Sequence, residues 1–74
     1  PARDVAGLVQ AQTLQVRRAA RLLAQPSAGA EVVGELRPGM LLFPTGTHEG
    51  ALIEVEDEVG NRGWVPAAAV EAAS

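Results

Sequence analysis

Six side chains able to do acid–base or metal chemistry crowd into one short stretch of this 74-residue chain: His48, Glu49, Glu54, Glu56, Asp57 and Glu58. Two carboxylates at strand spacing, Glu54 and Glu56, would share one face about 7 Å apart, a separation compatible with a shared cation or an acid–base pair. The competing reading is a solvated outer face of a hairpin with a charged flank. It is favoured because no Asp-rich ligand loop accompanies the pair. His48 is the only histidine, and a metal site would need further ligands that the chain lacks. As a general base it would need a nucleophile, and the only serines are Ser27 in a turn-forming stretch and Ser74 at the end. There is no cysteine, so a thiolate zinc site, a cysteine nucleophile and a disulfide framework are excluded together. No catalytic residue, metal or cofactor is expected, and the chain reads as a nonenzyme.

Two other features could bind rather than react. Arg17, Arg18 and Arg21 form a basic cluster that could meet an acidic partner or a membrane surface, or could simply pair with the acidic hairpin. Trp64, one of two aromatics beside Phe43, could be a stacking platform or a packing residue at the centre of the core. Charge is uneven: residues 1–37 carry +2 and residues 38–74 carry −5, for a net −3. An acidic chain without lysine is a poor match for phosphate backbones, so no nucleic-acid partner is expected. No apolar run reaches the roughly 18 residues of a membrane span. The stretch begins at Pro1 without a Met-initiated signal segment, which reads as a processed or excised piece of a longer polypeptide.

The elements that would hold these residues are short and strand-like. Read with a helical period, Asp4 would cap a helix carrying Val5, Leu8, Val9, Val16, Ala19, Ala20 and Leu23 on one side, whereas with period two Leu14 and Val16 alternate with Thr13, Gln15 and Arg17 as in a half-buried strand. A linker followed by a strand is the preferred reading; a helix here would be a packing or docking arm. Gln25-Pro26-Ser27-Ala28-Gly29 reads as a loop, Glu31 to Leu36 as a strand broken by Gly34, and Arg37-Pro38-Gly39 as a turn. Met40 to Phe43 is apolar without alternation, which suggests a strand buried on both faces or a barrel bend, and Pro44 to Gly50 is dense enough in turn formers to predict an exposed loop. Ile53 and Val55 alternate with Glu54 and Glu56. Gly60-Asn61 predicts a tight hairpin, and Gly63 a close backbone approach to another strand. No linker is long enough for a parallel crossover. The fold class that follows is all-β, a small antiparallel barrel of about five short strands, with residues 1–12 as arm and 13–74 as barrel domain.

Val33-Gly34-Glu35-Leu36, Pro38-Gly39, Ile53-Glu54-Val55 and Gly63-Trp64-Val65, with Pro26-Ser27 upstream, together resemble the bacterial SH3 domain family over about Ala20 to Ala72. The resemblance implies an SH3-like barrel, an extracytoplasmic setting, and a noncatalytic module that binds cell-wall peptide or an envelope protein. It would place a ligand surface between the loop after Leu23, the Thr45 to Gly50 loop and the turn at Pro66, with Trp64, Pro66, Glu49 and Arg21 as ligand-binding candidates. An assembly module packed on a partner chain or sister domain is the alternative. Two departures stand out: Ala20-Arg21-Leu22-Leu23 replaces the family's L-N-V-R, and Gly50-Ala51 replaces a Gly-Trp pair. The closing segment also resembles eukaryotic SH3 domains, where a tyrosine of the polyproline groove stands at the position of Ala69. Without any tyrosine, no polyproline ligand is expected.

Overall fold

The computed structural model describes residues 5–73. One short helix, α1 (Val5–Gln10), is followed by seven strands: β1 (Leu14–Val16), β2 (Ala20–Leu23), β3 (Val32–Leu36), β4 (Leu41–Glu49), β5 (Leu52–Glu56), β6 (Arg62–Pro66) and β7 (Val70–Ala72), with a 3-10 turn at Ala67–Ala69 between the last two. All pairings are antiparallel, in the order β3-β2-β6-β5-β4-β1-β7. The fold is therefore all-β and barrel-like. There are seven strands rather than about five because the outermost piece, β7, and its neighbour β1 are only three residues each.

β4 is the hinge of this architecture. Leu41 and Leu42 pair with β1, while Phe43, Pro44, His48 and Glu49 pair with β5, so one strand serves both walls. The predicted loop at Pro44 to Gly50 is corrected here: pairing continues to Glu49, and only Gly50 and Ala51 turn. A register shift between Pro44 and His48 absorbs the turn-forming residues, with Gly46 at φ 101°, a conformation that glycine adopts without steric cost.

The core is aliphatic. Leu14, Leu22, Leu42, Ile53, Val55, Val65 and Val70 are fully buried, joined by Val16, Leu36, Ala67 and Ala69. Strand alternation explains the choice: Ile53 and Val55 point inward while Leu52, Glu54 and Glu56 on the same strand are only partly covered. Trp64, expected near the core centre, is half-buried on the outer face instead, because inward positions on β6 belong to Gly63 and Val65. The helical pattern holds only for Val5, Leu8 and Val9: α1 ends at Gln10, and Val16, Ala20 and Leu23, through which that pattern would continue, lie on β1 and β2. Leu8 is buried in the main core with Val5 and Val9 packed against it, so the arm is an integral part of the barrel rather than a linker. Asp4, the cap proposed for a helix here, lies outside the described residues.

The turns follow their sequences in two ways. Arg37-Pro38-Gly39-Met40 closes with Met40 N–H donating to Arg37 C=O at 3.1 Å and Gly39 at φ 96°. The β5–β6 connection is longer than the two-residue hairpin expected at Gly60-Asn61 and is organised by Asp57. Its Oδ1 accepts from the backbone N–H of Val59 (3.0 Å) and Asn61 (2.8 Å), and its Oδ2 from the Asn61 side-chain amide (3.1 Å). Gly60, at φ 94°, follows as the left-handed residue that returns the chain to β6.

Candidate functional site

The acidic stretch is occupied by local structural work. Glu54 accepts a 2.7 Å hydrogen bond from the Thr45 hydroxyl, and Glu56 forms an ion pair with Arg62 at 2.9 Å. The hydrogen bond and charge of Glu56, with the charge of Glu54, hold the Arg62 guanidinium above its ordinary pKa. Burial alone would raise the Asp57 carboxyl, but the donors of Asn61, Val59 and Gly60 together outweigh it and hold the group below the usual carboxylate value. His48 lies on β4 with Nδ1 3.3 Å from the Gly50 carbonyl oxygen. Among the described residues, no three His, Cys, Asp or Glu side chains are grouped to hold a metal ion.

The basic cluster does not pair with this hairpin. Among the described residues the one ion pair is Arg62 with Glu56, which leaves Arg17, Arg18 and Arg21 without a carboxylate partner. Arg17 and Arg18 instead have their backbone fixed, both N–H groups donating to the Ala69 carbonyl at 2.8 and 3.4 Å. That contact ties the β1–β2 connection to the 3-10 turn. Between them lies an open groove of about 390 Å³ lined by Arg18, Ala19, Ala20, Arg21, Leu23, Pro66, Ala68 and Ala69.

The shape of this groove follows from small side chains. Val65, Ala67, Ala69 and Val70 bury themselves as the chain passes from β6 through the 3-10 turn, and Ala67 N–H is held by the Ala51 carbonyl at 2.8 Å. Ala68 and Pro66 remain exposed at the same turn. Across from them, β2 buries Leu22 and so presents Arg21 and Leu23 on the opposite face. The lining combines alanine side chains with two arginines, a composition suited to an apolar group that carries a nearby anion.

Of the four residues singled out from sequence, Arg21 and Pro66 line the groove. Trp64 does not, but it pairs in register with Leu23, which does, on the face where cross-strand Cβ atoms are about 5 Å apart. Glu49 is farther off. It pairs with Leu52, which in turn pairs with Pro66, and two strand spacings amount to about 10 Å. Sequence reasoning overlooked Leu23, Ala19, Ala20, Ala68 and Ala69 as lining. The available signal was the combination of paired arginines flanking Ala19-Ala20 with the alanine run after Pro66.

No helix among the described residues is long and apolar enough to cross a membrane. Compared with protein-family models, curated proteins and solved structures, the chain matches none of them.

Proposed function

We propose that this chain is a noncatalytic binding module of the bacterial SH3 kind, recognising cell-wall peptide in an extracytoplasmic setting. The observation that carries the reading is the groove between the β1–β2 connection, β2 and the 3-10 turn, lined by Arg18 and Arg21, which form no ion pair among the described residues. Cell-wall peptides combine small apolar side chains with free carboxylates. The alanine floor suits the first and the guanidinium pair the second. Ala69 lines the groove at the position to which the resemblance to eukaryotic SH3 domains would assign a tyrosine, so no aromatic ring stands there. The extracytoplasmic setting rests on the family resemblance alone.

The test is cosedimentation with insoluble peptidoglycan. The parent chain should pellet with the wall, and the Arg18→Glu, Arg21→Glu double variant should stay in the supernatant while keeping its far-ultraviolet circular dichroism. Absence of pelleting by the parent chain would sink the proposal.

The second reading, an assembly module that packs on another protein chain, is favoured by the exposure of Val32, Val33 and Phe43, each 40% accessible.

A further inference from the structure

The exposed apolar side chains are not equivalent. Val32, Val33 and Phe43 lie on strands at 40% exposure, whereas Val59 stands 83% exposed in the connection between β5 and β6. Asp57 holds that connection in one shape. Besides the bonds its carboxylate accepts, its N–H donates to the Asn61 carbonyl at 2.9 Å, and its carbonyl accepts from Gly60 N–H at 3.2 Å. Val59 N–H is itself bonded to Asp57 Oδ1, so the valine is carried on ordered backbone and loses little freedom on docking. Its neighbour Glu58 is exposed and forms no ion pair with a described residue. The turn therefore presents an apolar side chain beside an exposed carboxylate.

The groove is composed to take that combination, with alanine, leucine and proline side chains beside Arg18 and Arg21. Glu35 on β3 is in register with Arg21 but makes no ion pair with it, so both exposed arginines can meet an incoming carboxylate. A chain cannot fill its own groove. The turn comes before Arg62 and the groove lies around Pro66, so the five-residue strand β6, about 13 Å long, separates them. Turn and groove at opposite ends of one strand make a head-to-tail contact, which each added copy can repeat.

We infer that the β5–β6 turn of one copy of this chain docks in the groove of a second copy, with Val59 against the alanines and Glu58 facing Arg18 and Arg21. This rests on the groove being a binding surface, as proposed above, and makes a second copy a competitor of the wall peptide. Sedimentation velocity of the full chain across a concentration series tests it. Contacts this small are weak, so the series runs into the millimolar range. The average mass of the parent should rise with concentration without levelling off at a dimer. The turn variant Glu58→Gln, Val59→Ser, which loses the charge and the apolar contact, should associate at least about tenfold more weakly. So should the groove variant Arg18→Glu, Arg21→Glu, which sets like charges opposite. Mixed together, the two variants supply one intact turn and one intact groove, and should form a one-to-one complex and nothing larger. Circular dichroism confirms that each is folded, and the turn variant, whose groove is intact, should pellet with peptidoglycan as the parent does. The inference is overturned by a parent chain that stays monomeric throughout, a turn variant that associates like the parent, or a mixture that forms no complex. A parent that pellets yet stays monomeric overturns it while the groove reading stands, and a parent that associates without pelleting sinks the wall ligand alone.

Discussion

Gly63 on β6 lies against Leu22 on β2 so closely that a Cβ placed on the glycine would be 2.7 Å from Leu22 Cγ and 2.7 Å from the Leu23 carbonyl oxygen. The second contact is with backbone, which cannot rotate away. Gly63→Ala should therefore cost about 1–3 kcal/mol through overpacking. Gly29→Ala is the matching control, since a Cβ there meets nothing within 4 Å and the backbone is not left-handed. Removing a glycine from such a site should leave stability unchanged or raise it by about 0.4–1 kcal/mol. Urea denaturation of both variants measures the difference.

An aliphatic core with the tryptophan outside it separates two truncations. Leu42→Ala empties a fully buried site and should cost about 2–5 kcal/mol. That is a large part of the roughly 4–11 kcal/mol that ~0.05–0.15 kcal/mol per residue allows a chain of this length. Trp64→Ala, at a half-buried outer position, should cost no more than about 2 kcal/mol and keep a cooperative transition. Thermal melts followed by circular dichroism distinguish these outcomes, and a larger loss from Trp64 than from Leu42 would contradict the described core.

Helix α1 has only six residues, too few to persist alone in water, so its order must come from packing of Leu8. Leu8→Ala should cost about 2 kcal/mol or more. Limited proteolysis should then cut residues 5–12 well before the barrel, whereas the parent chain should resist at both.

The Asp57 carboxyl is depressed in the folded chain by the donors of the β5–β6 turn. A depressed acid binds protons more weakly folded than unfolded, so its stabilisation is fully present above the ordinary value of 3.8 and is lost as pH falls through the lower folded value. Asp57→Ala should lower the urea midpoint at neutral pH and flatten the acid limb of the stability profile below about pH 4. An unchanged acid limb would assign the pH dependence to other carboxylates.

Much of this was legible in residue types with a single physical use. Pro38-Gly39 could only turn, Gly63 marked a close approach, and the alternation of Ile53 and Val55 with two glutamates fixed which face of β5 is buried. Other features depend on context that no local pattern carries. Residues 44–49 look like a loop, yet one glycine at positive φ lets the strand shift register and continue. Val5, Leu8 and Val9 are too few to choose a period before their neighbour β4 is known. Asp57 is one of four acidic residues in sequence proximity, and only the turn reveals that it accepts three hydrogen bonds. The groove was least visible because alanines define it by what they do not fill. Trp64 is one of only two aromatics, yet the buried positions of β6 belong to Gly63 and Val65.

The proposal that the groove is the binding surface is tested most directly by titrating the nitrogen-15-labelled chain with soluble cell-wall peptide and following backbone amide shifts. The account predicts saturable shifts clustered at Arg18, Ala19, Arg21, Leu23, Ala68 and Ala69, abolished in the Arg18→Glu, Arg21→Glu variant. Absence of shifts at saturating peptide, or shifts confined to Glu54 through Gly60, would contradict it.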